Sequence, residues 1–231
     1  MRDVAANLRR VRDRIEAAAS EAGRDPADVM LLAVSKTRAA AEVAHAAAAG
    51  ASHFGENYVQ ELVDKQQALA DSGLDLHWHF IGHLQRNKVR FLAPFCALIE
   101  SVDSIRLAEE IDRRAIGLGR VQPVLLQVDL AGEATKFGCP EEQVGEVAER
   151  LATLPGVAWE GLMTIPPAAD DPEASRPYYR RLRELREQLA AQYPGQNLRH
   201  LSMGMSHDYA VAVGEGATIV RIGTAIFGPR A

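Results

Sequence analysis

Val29-Met30-Leu31-Leu32-Ala33-Val34-Ser35-Lys36-Thr37-Arg38 decides how this chain is read. Six apolar residues run without alternation, as in a strand covered on both faces, and such strands belong to parallel sheets flanked by helices. The run ends on a polar cluster that holds a lysine and no glycine. An open doubly wound sheet expects a glycine-rich turn there, which makes it the runner-up fold. The alanine-rich segment Ala39 to Ala49 follows as a helix, with Gly50 as its stop signal.

The same rhythm continues outward. Short apolar runs predict further strands at Ser52–Phe54, His77–Ile81, Ala97–Val102, Val124–Leu130, Val157–Ile165, Leu198–Ser202 and Thr218–Ile222. Helices are predicted over Asn57–Ala70, Lys88–Ala93, a Ser104-capped stretch to Ile116, Glu141–Leu154 and Ala174–Gln192, with others starting near His207 and at Ala225–Phe227. Eight βα units with short connections close most naturally into an α/β fold of the (β/α)8 TIM-barrel type, preceded here by an extra amphipathic N-terminal helix. No Pro/Gly/Ser-rich linker interrupts the pattern, so residues 1–231 are expected to form a single domain.

Composition narrows the partners. The chain carries 26 Lys and Arg against 31 Asp and Glu, a formal charge of −5. That balance argues against nucleic-acid binding, which needs a concentrated basic surface. Cys96 and Cys139 form no CxxC pair and read as reduced thiols. The N-terminus lacks the apolar core of a signal peptide, and Met30–Val34 and Phe95–Ile99 are too short to span a bilayer. A cytoplasmic protein with no membrane association is expected.

Barrels place their chemistry at the C-terminal ends of strands. Lys36 ends a fully apolar strand, where partial desolvation depresses an ammonium pKa and favours attack on a carbonyl as a Schiff-base lysine; a lysine snorkelling to the surface fits the same pattern. Gly204-Met205-Ser206 and Gly223-Thr224 follow the last two strands, where many barrels bind phosphate on backbone amides, although ordinary turn chemistry would look alike. A carbonyl-reactive lysine opposite a phosphate cup suggests pyridoxal 5′-phosphate (PLP). Other motifs are weaker. Ser206-His207-Asp208 are adjacent and cannot form a triad, and Gly214-Glu215-Gly216 lacks the third glycine of a dinucleotide fingerprint. His77-Trp78-His79 puts two imidazoles on one strand face, but no further pattern completes a metal site, and none is expected.

LLAVSKT at 31–37, HFGENYVQE at 53–61, WHFIGHLQRNK at 78–88, SVDS at 101–104, GLMTI at 161–165, LSMGMSHD at 201–208 and VRIGTAIFG at 220–228 together resemble the YggS/PROSC family of PLP homeostasis proteins. That family is similar to the barrel domain of alanine racemase, PLP fold type III. The resemblance implies that Lys36 carries PLP as a Schiff base, that Ser206, Gly223 and Thr224 hold its phosphate, and that Arg221 faces the pyridine nitrogen. It places Asn57 and His83 near the ring and Met203 and Gly204 along the cofactor, with Lys136 as a secondary PLP-handling lysine. Arg38, Ala39 and His207 depart from the usual residues, and Arg38 removes a possible second lysine beside Lys36.

For function, the resemblance implies a PLP carrier or regulator of the vitamin B6 pool, with effects on amino-acid and keto-acid metabolism and PLP-dependent apo-enzymes as possible recipients. The alternative is a PLP-dependent amino-acid racemase or decarboxylase. A racemase of this type draws a second base, a tyrosine, from a C-terminal β domain of its partner, whereas this sequence stops at Ala231 directly after the barrel. A monomeric, non-catalytic protein is therefore expected.

Overall fold

The computed structural model describes residues 3–132 and 137–229. Among the described residues, nine strands appear in this order: Met30–Val34 (β1), His53–Glu56 (β2), His77–Phe80 (β3), Leu98–Val102 (β4), Gln122–Asp129 (β5), Cys139–Pro140 (β6), Val157–Met163 (β7), His200–Met205 (β8) and Ile219–Ile222 (β9). All pair in parallel, and β4 meets β5 while β9 meets β1, so eight of them close a barrel. The two-residue β6 lies outside that circuit, paired with β5. The barrel predicted from the apolar runs is the observed fold.

Alternation along each strand divides the apolar side chains between two layers. Leu32, Val34, Ile81, Leu98, Leu125, Met163 and Ile219 form a cluster inside the barrel. Ala33, Phe54, Trp78, Phe80, Ile99, Leu162 and Ile222 point outward into a larger core under the helices. Val4–Glu21 (α1) adds Val4, Leu8, Val11, Ile15, Ala18 and Ala19 to that outer core, a spacing that puts them on one helical face. Its start is fixed by Asp3, whose carboxylate accepts from the Ala6 amide at 2.8 Å.

The remaining helices are Ala40–Ala48 (α2), Val59–Leu69 (α3), Val89–Leu92 (α4), Ile105–Gly117 (α5), Val144–Leu151 (α6), Arg176–Gln192 (α7), Tyr209–Gly214 (α8) and Thr224–Phe227 (α9). Several differ from the sequence expectation at their starts. Glu141–Gln143 forms a 3-10 turn, because Pro140 holds an extended entry and the Val144 amide reaches back only to Glu141. Tyr58 is extended, so α3 begins at Val59 and leaves Asn57 turned towards the barrel end. Ser104 does stand at the N-cap of α5, yet its hydroxyl donates to Asp103 and caps nothing. The seventh barrel strand, β8, runs on to Met205, three residues past its predicted end.

Candidate functional site

A cavity of about 300 Å³ opens at the C-terminal end of the barrel. Val34, Ile81 and Ile165 form its apolar wall, and Lys36, Asn57, Ser206, Arg221, Gly223 and Thr224 supply its polar lining. Six of the residues expected from the sequence are thus brought together from the ends of β1, β2, β8 and β9. Arg38, Met205, His207 and Gly228 complete the lining and were not among the expected site residues.

Lys36 stands two residues past the end of β1, after Ser35, and is half-buried at the cavity edge. Its neighbours are tied to a buried ionic group. The Ser35 hydroxyl donates to Glu56 Oε1 at 2.6 Å. Lys65 Nζ donates to the Ser35 carbonyl at 2.7 Å, to the same Glu56 oxygen at 2.6 Å and to Glu61 Oε1 at 3.2 Å. On the other side, the Thr37 amide donates to Glu61 Oε1 at 2.6 Å. Burial raises the Glu56 carboxyl above its usual pKa, against the opposing pull of Lys65 and Ser35.

Arg221 is 4% exposed and sits in the barrel interior at the cavity floor. Its guanidinium donates to Ser202 Oγ at 2.7 Å and to the Thr164 carbonyl at 2.8 Å. The Ser202 hydroxyl in turn donates to Glu100, which pairs with His79 Nδ1 at 2.7 Å, and His79 Nε2 lies 3.0 Å from His53 Nδ1. Burial alone would raise the Glu100 carboxyl, but His79, Arg221 and Ser202 outweigh it and hold the carboxyl below its ordinary range. Burial lowers Arg221 from its usual pKa, with Glu100 opposing. The imidazoles of His77 and His53 stack with centroids 4.7 Å apart, so the HWH segment serves ring packing and this buried hydrogen-bond relay. Among the described residues no three His, Cys, Asp or Glu side chains gather as a metal site.

At the opposite wall, Ser206 Oγ accepts from the Gly223 amide at 3.2 Å and the Ala225 amide at 3.3 Å. One hydroxyl and two amides therefore converge between the β8 and β9 loops. Asp208 shapes the first of these loops: it accepts from the Met205 amide at 2.7 Å, from Ser175 at 2.8 Å and from Tyr179 at 2.7 Å. Asp208 was legible as part of LSMGMSHD, whereas its partners at the start of α7 had no sequence signal.

Three expected residues lie elsewhere. Met203 belongs to the outer core at 0% exposure, next to the inward-facing Ser202; a register shift between Ser202 and Met205 breaks the alternation beyond it, and Met205 lines the cavity instead. Gly204 is also off the lining and serves close packing: its φ of 92° and a Cβ that would lie 2.6 Å from Ala212 Cβ leave room for no side chain. His83 stands outside the cavity, stacked on Phe137 at 3.9 Å and 3.6 Å from Asp103. Lys136 lies outside the described residues. Asn57 is in place, and its Oδ1 is buried with no hydrogen-bond partner. Arg38, which departs from the lysine usual at that position, donates to the carbonyls of Gly228 at 2.6 Å and Pro229 at 3.1 Å.

The barrel and its mouth define the class, since residues 6–231 match the family described as alanine racemase, N-terminal domain. A pyridoxal phosphate homeostasis protein of Aquifex aeolicus is 49% identical over 223 residues, 96% of each chain. One of Pseudomonas aeruginosa is 48% identical over 231 residues, 100% of this chain and 97% of the relative. PipY of Synechococcus elongatus, solved with PLP bound, superposes with a TM-score of 0.83 at 41% identity, covering 93% of this chain and 100% of PipY. The chain belongs to the pyridoxal phosphate homeostasis protein family, as its motifs implied.

Proposed function

We propose that this chain binds PLP at the barrel mouth and acts in intracellular PLP homeostasis, as a single-domain carrier. The observation that carries the reading is the convergence of Lys36, the partnerless Asn57 Oδ1, Arg221 and the Ser206–Gly223 cradle on one cavity. These residues fit the cofactor's chemistry. Lys36 brings an amine, Ser206, Gly223 and Thr224 bring hydroxyls and amides to a phosphate, Asn57 offers an unsatisfied acceptor, and Arg221 offers a fixed donor at the floor. PLP, when bound, supplies an aldehyde whose carbon a lysine amine takes up with loss of water. The PLP-bound relative and the homeostasis proteins support this reading.

The carrier reading rests on the side chains that line the cavity. Arg221 is held by Ser202 and the Thr164 carbonyl, and a guanidinium donates hydrogen bonds without giving up its proton. The described residues that line the cavity include no carboxylate and no tyrosine, and His207 engages the Asp170 carbonyl through Nε2 at 2.8 Å. A missing acid or base removes about 10²–10⁴-fold in rate. Unpaired, buried Cys96 and Cys139 suit a reducing cytoplasm, and no described helix is long and apolar enough to cross a membrane. PLP-dependent apo-enzymes are the recipients, and the carrier is a monomer.

The test adds PLP to the purified protein, follows its absorption and then fixes it with borohydride. Labelling of the Lys36 peptide is expected. Incubating the PLP form with each amino acid should give little α-deuterium exchange or racemisation. Rapid exchange with any of them, lost in Lys36→Ala, would favour the racemase or decarboxylase alternative over the carrier.

A further inference from the structure

We propose that Lys65, with Glu56 and Glu61, is the positioning group for Lys36: a buried ionic clamp that fixes the backbone on both sides of that lysine and aims its amine into the cavity. The inference rests on the reading of Lys36 as the attachment point and adds residues that never touch the ligand, since none of the three lines the cavity.

The geometry is a closed ring. Ser35 is held twice, by its hydroxyl on Glu56 and by its carbonyl on Lys65, and Thr37 is held by its amide on Glu61. Lys65 Nζ ties the two carboxylates together from α3. Only Lys36 lies between the fixed points. The backbone there is also strained: Thr37, with φ of 63°, is the sole described non-glycine residue in the left-handed region, where a β-branched side chain is disfavoured. Such a conformation persists when its surroundings over-determine it, which the Glu61 contact does.

Stability does not account for the clamp. Glu56 is 0% and Lys65 5% exposed, and well-packed apolar residues in place of a buried ion pair are often as stable or more so. Fixed geometry at the neighbouring Lys36 does account for it, because a displacement near 1 Å at a reacting group can cost about 100-fold in rate.

The test compares two ligands in the wild type, Lys65→Met and Glu61→Gln. PLP can couple to Lys36; pyridoxine 5′-phosphate, with an alcohol in place of the aldehyde, fills the same site and cannot. Folding is checked by circular dichroism, and Glu61→Gln, which keeps the Lys65–Glu56 pair, serves if Lys65→Met fails to fold. The expected result is a coupling rate with PLP slowed about 10- to 100-fold, with the affinity for pyridoxine 5′-phosphate unchanged. Equal weakening of both ligands would show a merely structural role and overturn the proposal, as would an unchanged coupling rate in both variants. If Lys36→Ala still couples PLP covalently, as read by borohydride fixation, the attachment reading itself fails, and the clamp's role fails with it.

Discussion

Glu100 and Arg221 are joined through a single hydroxyl: Ser202 donates to the carboxylate and accepts from the guanidinium, and all three side chains are buried inside the barrel. The pair spans from the middle of β4 to the cavity floor, so the charge facing the candidate ligand is neutralised from below. Removing one member of a buried pair strands the other charge at a cost of about 3–5 kcal/mol. Glu100→Gln is expected to lower the urea midpoint accordingly and to weaken PLP binding. An unchanged midpoint would mean that Arg221 is compensated elsewhere.

The interior histidines predict a pH dependence. Burial, with His79 and His77 nearby, lowers His53 to about 4 from 6.5. Between those values the unfolded chain binds a proton that the folded chain refuses, so this contribution is full above 6.5 and declines as pH falls towards 4. Glu100, held below its ordinary range, adds to the loss at lower pH, because its stabilising charge disappears as the folded carboxyl protonates. Urea midpoints measured from pH 7 to 4 should fall, and His53→Asn should flatten that fall. Solvent at the half-buried ring reduces the size of the effect.

Gly82 is expected to tolerate no side chain. A Cβ there would lie 2.1 Å from the Asn57 carbonyl oxygen, so the backbone after β3 must shift and carry Asn57 with it. Gly82→Ala should cost about 1–3 kcal/mol and reduce PLP affinity together with stability. Retained affinity at full stability would argue against Asn57 as a ligand-facing group.

Gly223 behaves differently. A Cβ would stand 3.4 Å from the Val34 carbonyl, an ordinary contact, so Gly223→Ala should fold and bind. Gly223→Leu would fill the cradle and should cost more PLP affinity than Ser206→Ala, which removes one hydroxyl. Pyridoxal lacking the phosphate should bind far more weakly than PLP, and equal affinities would eliminate the cradle.

Lys36→Ala should abolish covalent attachment and leave the fold intact, since substitution of a half-buried strand-end side chain away from the core usually changes stability by about 0.5 kcal/mol or less. Mass spectrometry after borohydride reduction checks it. Label recovered on Lys65 or Lys136 would overturn the assignment.

The barrel was legible because each strand is a local apolar run and each helix has its own periodicity; the 29–34 run and its glycine-free end already separated a barrel from an open sheet. The motifs also carried Lys36, Asn57, Ser206, Arg221, Gly223 and Thr224 to one cavity. The outward turn of Met203 and the presence of Met205 in the lining had no signal in the sequence, because the register shift between Ser202 and Met205 and the length of β8 exist only with the partner strands paired. The stacking of His83 on Phe137, off the cavity lining, had no sequence signal either, since the two lie far apart along the chain. The Lys65 clamp and the Glu100–Ser202–Arg221 bridge had no signal at all: their members lie 19 to 102 residues apart wherever the contact crosses strands, as Ser202 to Arg221 and Glu100 to Ser202 do. Sequence determined which segments are apolar and periodic, and hence the fold and the residues at strand ends. Barrel closure alone decided which charges are buried together, because burial in a shared interior, unlike periodicity, is a property of no single segment.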